Sequence, residues 1–520
     1  MTTGDVPTVG ALLAALADDT DTGLLGGESL VPWRDHVATS MARADMLAEL
    51  LAADRPPHVG VLLGNGPEFS YLLGASALSS LVVVGLNDTR RGAALSADVV
   101  RADCQAVIVE DATVELLDES SLPADVRVLN VDAPGWRALV NESRRPNAMS
   151  AAERAARIVP DELLMLIFTS GTSGTPKAVR CTQGNVGIAG SMLAARFGIG
   201  HSDVVAVSMP MFHSNAVMAG WTVAVAGGAS LVLRKFSARG FVDDVHRYGV
   251  TYSNYVGKPL NYILATPARP ADAAGTLRVM YGNEASAEDR RRFAERFGCQ
   301  VVDGYGSTEL GIAITRTPDT PPDALGPLVD PVAVVDVATG EPVGPGEVGE
   351  LVNTSGAGMF GGYYNDPEST SERMRDGVYH SGDLGWVDDA GFVHFAGRLG
   401  DWLRVDGENL GAGPIEQILV RHPAIREAAV FGVPVAIGDE VHAALVCDDG
   451  HGASRLDAEG FAEFLAAQSD LGPKQWPCAV HLVDRMPETA TFKTVRRRLR
   501  TEAPAPTWTW DGERYVTSDG

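Results

Sequence analysis

The chain contains the run Thr169-Ser170-Gly171-Thr172-Ser173-Gly174-Thr175-Pro176-Lys177, directly after the apolar segment 163–168. A short apolar segment of this kind predicts a buried strand. Glycines let backbone N–H groups turn toward an anion, hydroxyls donate further hydrogen bonds, and the lysine ammonium neutralises negative charge. The spacing differs from that of the Walker loop, which has four residues between its first glycine and Gly-Lys-Ser/Thr. The run therefore indicates a phosphate-binding loop of another type, and a plain Ser/Gly turn is the alternative.

On both sides of this loop, short apolar segments alternate with helical patterns. Strands are predicted at 59–63, 81–84, 106–109, 204–208, 230–233, 277–281 and 300–303. Apolar strands of four to six residues that alternate with helices are typical of parallel sheets covered by helices. This part of the chain is therefore expected to form α/β layers.

After about residue 322 the pattern changes. Short segments joined by Gly/Pro/Asp turns indicate a smaller β-rich subdomain, with strands at 331–337, 349–354 and 392–396. A polar connector at 397–407 precedes a second α/β unit, in which we predict a helix at 414–421 and strands at 428–433 and 443–447. The tail 504–520 is rich in Trp, Thr and Pro and is expected to pack on the surface.

Composition limits the possible functions. A chain of 520 residues is too long for one core, so two to four domains are expected. The net charge of −25 argues against a nucleic-acid partner, because the phosphate backbone would be repelled. Five scattered cysteines indicate reduced thiols in the cytoplasm and no disulfide framework. The N-terminus shows no basic segment followed by an apolar run, so no signal peptide is expected.

One uncharged window, 216–233, is nearly long enough to cross a bilayer. It is interrupted by Gly220, Gly227-Gly228 and Ser230. These breakers favour a buried helix, a tight turn and a short strand over a membrane span.

Two further motifs carry polar groups suited to a nucleotide. In Asp303-Gly304-Tyr305-Gly306-Ser307-Thr308-Glu309, the aromatic ring can stack on a flat base. The hydroxyl and carboxylate that follow can hold phosphate and Mg²⁺, which prefers one or two carboxylates together with phosphate oxygens. On its own the segment equally indicates a loop around a buried tyrosine. In Tyr379-His380-Ser381-Gly382-Asp383-Leu384-Gly385, the carboxylate can accept both ribose hydroxyls, a role compatible with a β-turn.

Taken in chain order, these motifs resemble those of the adenylate-forming superfamily: acyl-CoA synthetases, luciferases and peptide-synthetase adenylation domains. The resemblance implies that the loop 169–177 binds ATP phosphates, that Thr308 contacts the α-phosphate region and that Glu309 holds the metal. Gly282-Asn283-Glu284 resembles the segment that lines the adenine and is expected after the strand 277–281.

The same resemblance assigns residues in the later part of the chain. Asp383 is implied on the ribose, with Arg398 nearby on ribose or phosphate. Asp401 falls at the family's hinge, which needs only a few positions that absorb backbone rotation. Gly407-Glu408-Asn409 follows, where relatives approach the pantetheine arm of CoA. Lys493 matches the catalytic lysine, whose ammonium bridges the attacking carboxylate and the α-phosphate.

The acyl side is less determined. The segment 209–215 resembles the family segment that borders the acyl pocket, so His213 is a candidate there, with an interior histidine as the alternative. The segments 255–262, which begins with the second candidate Tyr255, and 405–409 resemble the branch of very-long-chain acyl-CoA synthetases and fatty-acid-transport proteins. No N-terminal membrane segment of that branch is visible, which leaves room for bulkier carboxylates such as steroid side-chain acids.

The resemblance therefore implies an α/β fold in three parts. Residues 1–397 are expected to form a large adenylation domain of α/β layers with a small β-rich subdomain at about 322–397. A hinge at 398–402 is expected to join it to a small mobile α+β C-terminal domain at 403–520. The nucleotide-binding residues are predicted to be Thr169, Ser170, Gly171, Thr172, Ser173, Gly174, Thr175, Lys177, Gly282, Asn283, Glu284, Asp303, Gly304, Tyr305, Gly306, Thr308, Asp383, Arg398 and Lys493.

The implied activity is that of an actinobacterial acyl-CoA ligase for a long-chain fatty acid or a steroid side-chain acid. It uses ATP, Mg²⁺ and CoA, forms acyl-AMP and releases AMP, with Lys493, Glu309 and Thr308 as catalytic residues. The alternatives are a fatty-acyl-AMP ligase that delivers to a carrier protein, and a non-catalytic nucleotide-binding or transport module. A cytoplasmic location without an integral membrane segment is expected; a homodimer and peripheral membrane contact are left open.

Overall fold

The chain folds as two compact units. Unit 1 comprises Met1–Arg316 and Ala357–Arg375, and unit 2 comprises Thr317–Gly356 and Asp376–Gly520. The computed structural model describes residues 6–27, 29–142, 149–169, 176–399, 402–405, 408–435, 438–447, 456–468, 471–488 and 494–517. The domain boundaries expected from the sequence, at 397 and 403, stay a prediction.

The helices are distributed over both units. They are α1 (Val9–Ala14), α2 (Trp33–Leu50), α3 (Pro67–Ala77), α4 (Gly92–Arg101), α5 (Pro134–Glu142), α6 (Ala151–Ala155), α7 (Gln183–Phe197), α8 (Ser214–Ala216), α9 (Thr222–Gly227), α10 (Phe241–Tyr248), α11 (Pro259–Leu264), α12 (Ala287–Phe297), α13 (Pro367–Arg373), α14 (Ala412–Leu419), α15 (Ala458–Ala466) and α16 (Arg496–Glu502).

The segment Met1–Arg316 supplies most strands of unit 1. They are β1 (Gly23–Gly26), β2 (Ser29–Pro32), β3 (His58–Leu62), β4 (Val82–Gly85), β5 (Ala106–Val109), β6 (Arg127–Asn130), β7 (Leu163–Thr169), β8 (Lys177–Thr182), β9 (Val204–Val207), β10 (Ser230–Leu233), β11 (Tyr252–Val256), β12 (Val279–Asn283), β13 (Gln300–Gly306) and β14 (Ala313–Thr315).

The remaining strands follow in the second half. They are β15 (Gly326–Pro327), β16 (Val332–Val335), β17 (Gly349–Asn353), β18 (Met374–Arg375), β19 (Val378–Val387), β20 (Phe392–Arg398), β21 (Trp402–Val405), β22 (Glu408–Gly411), β23 (Ile425–Pro434), β24 (Asp439–Cys447), β25 (Ala479–Leu482), β26 (Trp508–Trp510) and β27 (Tyr515–Thr517).

Unit 1 contains two largely parallel sheets, which confirms the predicted α/β layers. One has the order β6-β5-β3-β4-β7-β8 and is parallel except for the hairpin β7–β8. The other has the order β14-β13-β12-β11-β9-β10-β1-β2, parallel in its centre and antiparallel at both edges. In parallel strands the carboxyl ends meet at one edge, where ligands bind in open α/β sheets. The ends of β9, β11, β12 and β13 therefore lie together.

The uncharged window 216–233 folds as the sequence predicts. A π-helical turn, Val217–Trp221, leads into α9, and Gly228 then takes a left-handed conformation (φ 64°) before β10. Among the described residues, none of the helices combines the length and the apolar character needed to cross a bilayer.

Unit 2 contains the β-rich part and the C-terminal part of the chain. Its first sheet has the order β15-β20-β19-β17-β16, and the C-terminal sheet has the order β23-β24-β25-β26-β27. Helix α14 is amphipathic and packs Ile415, Ile418 and Leu419 into the core of the C-terminal sheet. The predicted small α+β region is therefore confirmed.

The tail is a correction to the sequence analysis. Instead of packing on the surface, residues 508–510 and 515–517 form β26 and β27 and extend the C-terminal sheet. Trp508 and Tyr515 are buried, with 7 % and 5 % of their surface exposed, and belong to the same core as Phe461. A tryptophan and a tyrosine from these adjacent strands bury far more apolar surface in the core than they would on the outside of the domain.

Candidate active site

The predicted phosphate loop connects two strands of a hairpin. Thr169 is the last residue of β7 and Lys177 the first of β8, and these two residues face each other in the antiparallel register. The pairing fixes both ends of the loop relative to the sheet. The intervening residues Ser170, Gly171, Thr172, Ser173, Gly174 and Thr175 lie outside the described residues.

The secondary structure of the predicted adenine segment (282–284) and of the glycine-rich motif (303–309) differs from the prediction. Gly282 and Asn283 end strand β12, instead of following a strand, and residues 303–306 belong to β13, instead of forming a loop. Parallel pairing with β11 and β13 extends β12 by two residues beyond the apolar segment. Glu284 follows with a left-handed backbone (φ 68°), which turns the chain away from the sheet.

Three asparagines connect these strand ends. The Asn254 amide donates to Oδ1 of Asn215 at 2.6 Å, and the Asn215 amide donates to Oδ1 of Asn283 at 3.4 Å and to the Tyr255 carbonyl at 3.2 Å. The Asn283 amide donates to the carbonyl of Gly304 at 2.6 Å. Side-chain hydrogen bonds therefore join the segment expected to border the acyl pocket (209–215, the acyl segment), the adenine segment and the glycine-rich motif in unit 1.

Two glycines allow the strands at this edge to approach closely. A Cβ on Gly282 would lie 2.3 Å from the Tyr255 carbonyl oxygen, and a Cβ on Gly304 would lie 2.4 Å from the Tyr281 hydroxyl. Both distances are far below van der Waals contact. A larger residue at Gly282 would push against the β11 backbone, and one at Gly304 would displace the Tyr281 side chain.

Asp303 is bound by groups of unit 1 on both carboxylate oxygens. Oδ1 accepts the Tyr255 hydroxyl, and Oδ2 accepts the Ala285 amide and Nη1 of Arg290, each at 3.1 Å. Burial raises the pKa of Asp303, and the Arg290 guanidinium opposes that rise. Burial also raises the pKa of Tyr255, as does the negative charge of Asp303, so the phenol stays a donor.

The structure also places three predicted site residues of unit 1. Tyr255, a predicted acyl-pocket residue, is wholly buried and its hydroxyl is engaged by Asp303. His213 caps α8, where its Nδ1 accepts a hydrogen bond from the backbone N–H of Asn215 at 3.4 Å. Tyr305 lies in β13, opposite Ile314 of β14. The acyl-pocket and base-stacking roles of these residues stay predictions.

The predicted catalytic pair Thr308 and Glu309 has partners in unit 1. The Thr308 hydroxyl lies 2.8 Å from the Ser214 hydroxyl, which joins the glycine-rich motif to the acyl segment a second time. Glu309 is 9 % exposed, and its Oε1 accepts the Tyr363 hydroxyl at 2.9 Å. The Lys177 ammonium lies 5.3 Å from the centre of the same tyrosine ring and 3.4 Å from Oε2 of Glu372.

Unit 2 holds the predicted ribose-binding pair. Asp383 on β19 and Arg398 on β20 face each other in register, with 3.2 Å between the carboxylate and Nε. The Ser381 hydroxyl accepts the Asp383 amide at 3.0 Å and donates to the Leu351 carbonyl at 2.6 Å. Beside them, the buried Glu350 carboxylate accepts the Gly382 amide and contacts His380, both at 2.8 Å.

The remaining predicted residues are not described. Asp401, Gly407 and Lys493 lie outside the described residues. Glu408 and Asn409 form part of strand β22, which pairs with β21, but their side chains are outside what the structure describes.

Sequence reasoning missed several residues that organise this edge of the sheet. Asn215 lies in helix α8 and Asn254 in the middle of strand β11, and both are buried, where a polar side chain is expected to be hydrogen-bonded. Tyr363 and Arg290 gave no signal in the sequence, because each depends on a partner elsewhere in the chain. Glu309 is 54 residues from Tyr363, and Asp303 is 13 residues from Arg290.

Comparison with known proteins identifies the family. The sequence profile of the AMP-binding enzyme family matches residues 33–364, and that of the AMP-binding enzyme C-terminal domain matches residues 414–493. The chain belongs to this family. Membership confirms the resemblance to the adenylate-forming superfamily that the motifs predicted.

Within the AMP-binding enzymes, two relatives match nearly the whole chain. The medium/long-chain-fatty-acid–CoA ligase FadD17 of Mycobacterium tuberculosis is 53 % identical over 507 residues, which cover 96 % of this chain and 98 % of that protein. The steroid-22-oyl-CoA synthetase of Rhodococcus jostii is 41 % identical over 525 residues, covering 97 % and 93 %. Both relatives are named as a CoA ligase or an acyl-CoA synthetase, which is the class predicted from the sequence.

A solved structure shows the same fold. The o-succinylbenzoate CoA synthetase MenE of Bacillus subtilis, in complex with ATP and a magnesium ion, superposes with a TM-score of 0.79 at 23 % identity. The match covers 95 % of this chain and 99 % of that one. The predicted fold class is therefore confirmed.

Proposed function

We propose that the protein is an ATP-dependent acyl-CoA ligase for a hydrophobic carboxylic acid, either a long-chain fatty acid or a steroid side-chain acid. One observation carries the proposal beyond family membership: in unit 1, the acyl segment, the adenine segment and the glycine-rich motif are joined through Asn215, Asn283 and the Ser214–Thr308 contact. An enzyme that joins a carboxylate to a nucleotide needs these segments in fixed positions, because orientation contributes a large part of the rate of such reactions.

In the first step, the substrate carboxylate attacks the α-phosphate of ATP, which gives acyl-AMP and pyrophosphate. We assign Lys177 to the β- and γ-phosphates, Thr308 to the α-phosphate region and Asp383 with Arg398 to the ribose. Lys493 is assigned the charge that grows in the transition state, where a positioned ammonium is most effective.

Mg²⁺ fits the groups present. The described residues contain no cluster of three or more His, Cys, Asp or Glu that could hold a metal ion by itself. Mg²⁺ takes one or two carboxylates and completes its shell with phosphate oxygens and water, which suits the single carboxylate of Glu309. When bound, the ion would neutralise charge on the phosphates.

In the second step, the CoA thiol attacks the carbonyl carbon of acyl-AMP and AMP leaves. We propose that the segment after residue 402 rotates about Asp401 between the two steps. The rotation would withdraw Lys493 and bring Gly407, Glu408 and Asn409 toward the pantetheine arm. Alternation of this kind lets one site serve two reactions with different geometric needs.

We also propose a cytoplasmic location. None of the five cysteines forms a disulfide within the described part of the chain, which suits a reducing compartment. Sedimentation analysis and pelleting with phospholipid vesicles would test the two open alternatives, a homodimer and peripheral membrane contact.

The proposal is tested with ATP–pyrophosphate exchange and with thioester formation over a panel of short, long and steroidal acids. We expect exchange that depends on the carboxylate, and AMP release that depends on CoA, with long-chain or steroidal acids. Exchange without CoA-dependent AMP release would instead indicate delivery to a carrier protein. No exchange with any acid would contradict the proposed function.

The role of Lys493 gives the largest predicted effect on activity. Lys493→Ala should lower the adenylation rate about 100- to 1,000-fold, the usual cost of removing one group that stabilises transition-state charge. Thioester formation from supplied acyl-adenylate should be largely unchanged. Equal loss of both half-reactions would contradict the assigned role.

A further inference from the structure

Tyr363 is held rigidly against the strand that begins at Lys177. Strand β8 is at the edge of its sheet, and residues 362–364 run along that edge. The Arg180 amide donates to the Gly362 carbonyl at 3.2 Å, the Tyr364 amide donates to the Ala178 carbonyl at 2.8 Å, and Val179 forms a bridge with Tyr363. The backbone of Tyr363 therefore keeps a fixed position relative to Lys177.

The Tyr363 side chain contacts two groups that the proposed function assigns to ATP and its metal. Its ring face lies 5.3 Å from the Lys177 ammonium, within the range of a cation–π interaction. Its hydroxyl donates to Oε1 of the buried Glu309 at 2.9 Å. Burial raises the pKa of Tyr363, the charge of Glu309 adds to that rise, and Arg373, which also hydrogen-bonds the hydroxyl, opposes it.

We propose that Tyr363 is a positioning residue that aligns the Glu309 carboxylate for Mg²⁺ and the Lys177 ammonium for the β- and γ-phosphates. The proposal rests on the proposed function. A carboxylate has about four lone-pair sites, so one phenolic hydrogen bond leaves acceptor capacity for a metal ion while it restricts rotation of the group. The Lys177 side chain, 12 % exposed, is likewise restrained before any phosphate arrives.

The adjacent tyrosine provides a matched control. The Tyr364 hydroxyl also donates to a carboxylate, Oδ2 of Asp103, at 2.9 Å. Asp103 has no part in the predicted site. Tyr363→Phe and Tyr364→Phe each delete one phenol–carboxylate hydrogen bond and keep the ring. Each also deletes one further side-chain contact of the hydroxyl, with Arg373 and with Asn365 respectively. Only Tyr363→Phe touches the assigned metal ligand.

The main measurement is the Mg²⁺ dependence of ATP–pyrophosphate exchange at saturating carboxylate. Tyr363→Phe should raise the Mg²⁺ concentration for half-maximal exchange on the order of tenfold, as expected for a lost hydrogen bond to a charged group. Tyr364→Phe should leave it unchanged. Equal values for the two variants would overturn the proposal.

A binding measurement that does not depend on turnover gives a second readout. By calorimetry, Tyr363→Phe should weaken binding of Mg·ATP by a similar factor, and Tyr363→Leu, which also removes the ring above Lys177, should weaken it further. Unfolding midpoints without ligand should be similar for the two Phe variants. A Tyr363→Phe protein that binds Mg·ATP like the wild type would overturn the proposal.

A double-mutant cycle separates positioning from general damage. If Tyr363 acts through Glu309, then adding Tyr363→Phe to Glu309→Gln should change the Mg·ATP dissociation constant less than twofold further. An additional tenfold change would show that the hydroxyl acts independently and would overturn the proposal. Failure of the wild type to exchange pyrophosphate would contradict the proposed function instead, and calorimetry with Mg·ATP would still decide the role of Tyr363.

Discussion

Asp303 and Asp383, both assigned to the nucleotide by motif resemblance, lie in different surroundings. Asp303 is bound on both oxygens by Tyr255, Ala285 and Arg290, and the side chains of the Asp303–Arg290 pair are both 13 % exposed. The Asp383 side chain is equally buried, at 12 % exposed, but its partner Arg398 is 50 % exposed. When one partner of a buried ion pair is removed, the remaining charge has no compensation. When the missing partner was half-exposed, water can take part of its place.

The difference separates a structural from a ligand-binding role. Asp303 accepts hydrogen bonds from β11, from α12 and from the turn between β12 and α12. We therefore infer that its role is to hold these elements together. Asp383 can exchange a half-exposed guanidinium for ribose hydroxyls at small cost. Similar motifs are therefore expected to serve two different roles, and two measurements can test the division.

The largest expected effect comes from breaking the buried pair. Arg290→Met should lower the free energy of unfolding by about 3–5 kcal/mol, because it leaves the Asp303 carboxylate buried without its counter-ion. The neighbouring Arg291 is the control, since it is 56 % exposed and pairs with Glu288 and Glu295 on the surface of α12. Arg291→Met should cost less than about 1 kcal/mol in urea denaturation. Equal losses would erase the distinction between the two aspartates.

A smaller effect, on binding instead of stability, is expected at Asp383. Asp383→Ala should raise the KM for ATP about 10- to 100-fold, the range for lost hydrogen bonds to a charged group. The free energy of unfolding should change by less than about 1 kcal/mol. Asp389→Ala, in the exposed turn between β19 and β20, should leave both quantities unchanged. A large loss of stability at Asp383 would make it a structural residue like Asp303.

Unit 2 also contains two histidines in contact with each other. His442 on β24 and His481 on β25 approach to 3.0 Å, and Nδ1 of His481 contacts the Pro504 carbonyl at 2.8 Å. Because a carbonyl can only accept, Nδ1 of His481 carries the proton and its Nε2 accepts from His442. Burial lowers the pKa of both residues, and for His442 the neighbouring His481 lowers it further while Glu440 opposes the shift.

The smallest effect is expected from this pair. Because each pKa is lower in the folded state, the unfolded chain binds more protons, so stability is fully present above about pH 6.5 and falls as pH decreases through the folded pKa values. Hydrogen exchange of the β24 and β25 amides should show this loss in the wild type and a smaller one in His442→Gln. The exposed His246→Gln in unit 1 should behave like the wild type. An unchanged pH dependence in His442→Gln would contradict the role of the pair.

Much of the fold follows from local patterns. Apolar segments such as 106–109 and 230–233 are short, continuous and bounded by turn residues, and both are strands as predicted. Boundaries were wrong where pairing with a neighbour extended a strand, as for Gly282 and Asn283 at the end of β12. The prediction for the tail was wrong for a related reason. Trp508 and Trp510 alternate as they would on a surface or in a sheet, and only the pairing with β25 places them in the sheet.

The sequence by itself determined the order of the motifs, and that order predicts the chemistry: a phosphate loop, a hydroxyl with a carboxylate, a ribose-binding aspartate and a late lysine. These are local features, since each depends on residue types a few positions apart. Only the tertiary structure decided how the acidic groups are used, with Asp303 held by Arg290 and Glu309 held by Tyr363. The physical reason is that the strength of a charge pair depends on burial and on which distant side chain lies within hydrogen-bond reach, and chain folding sets both.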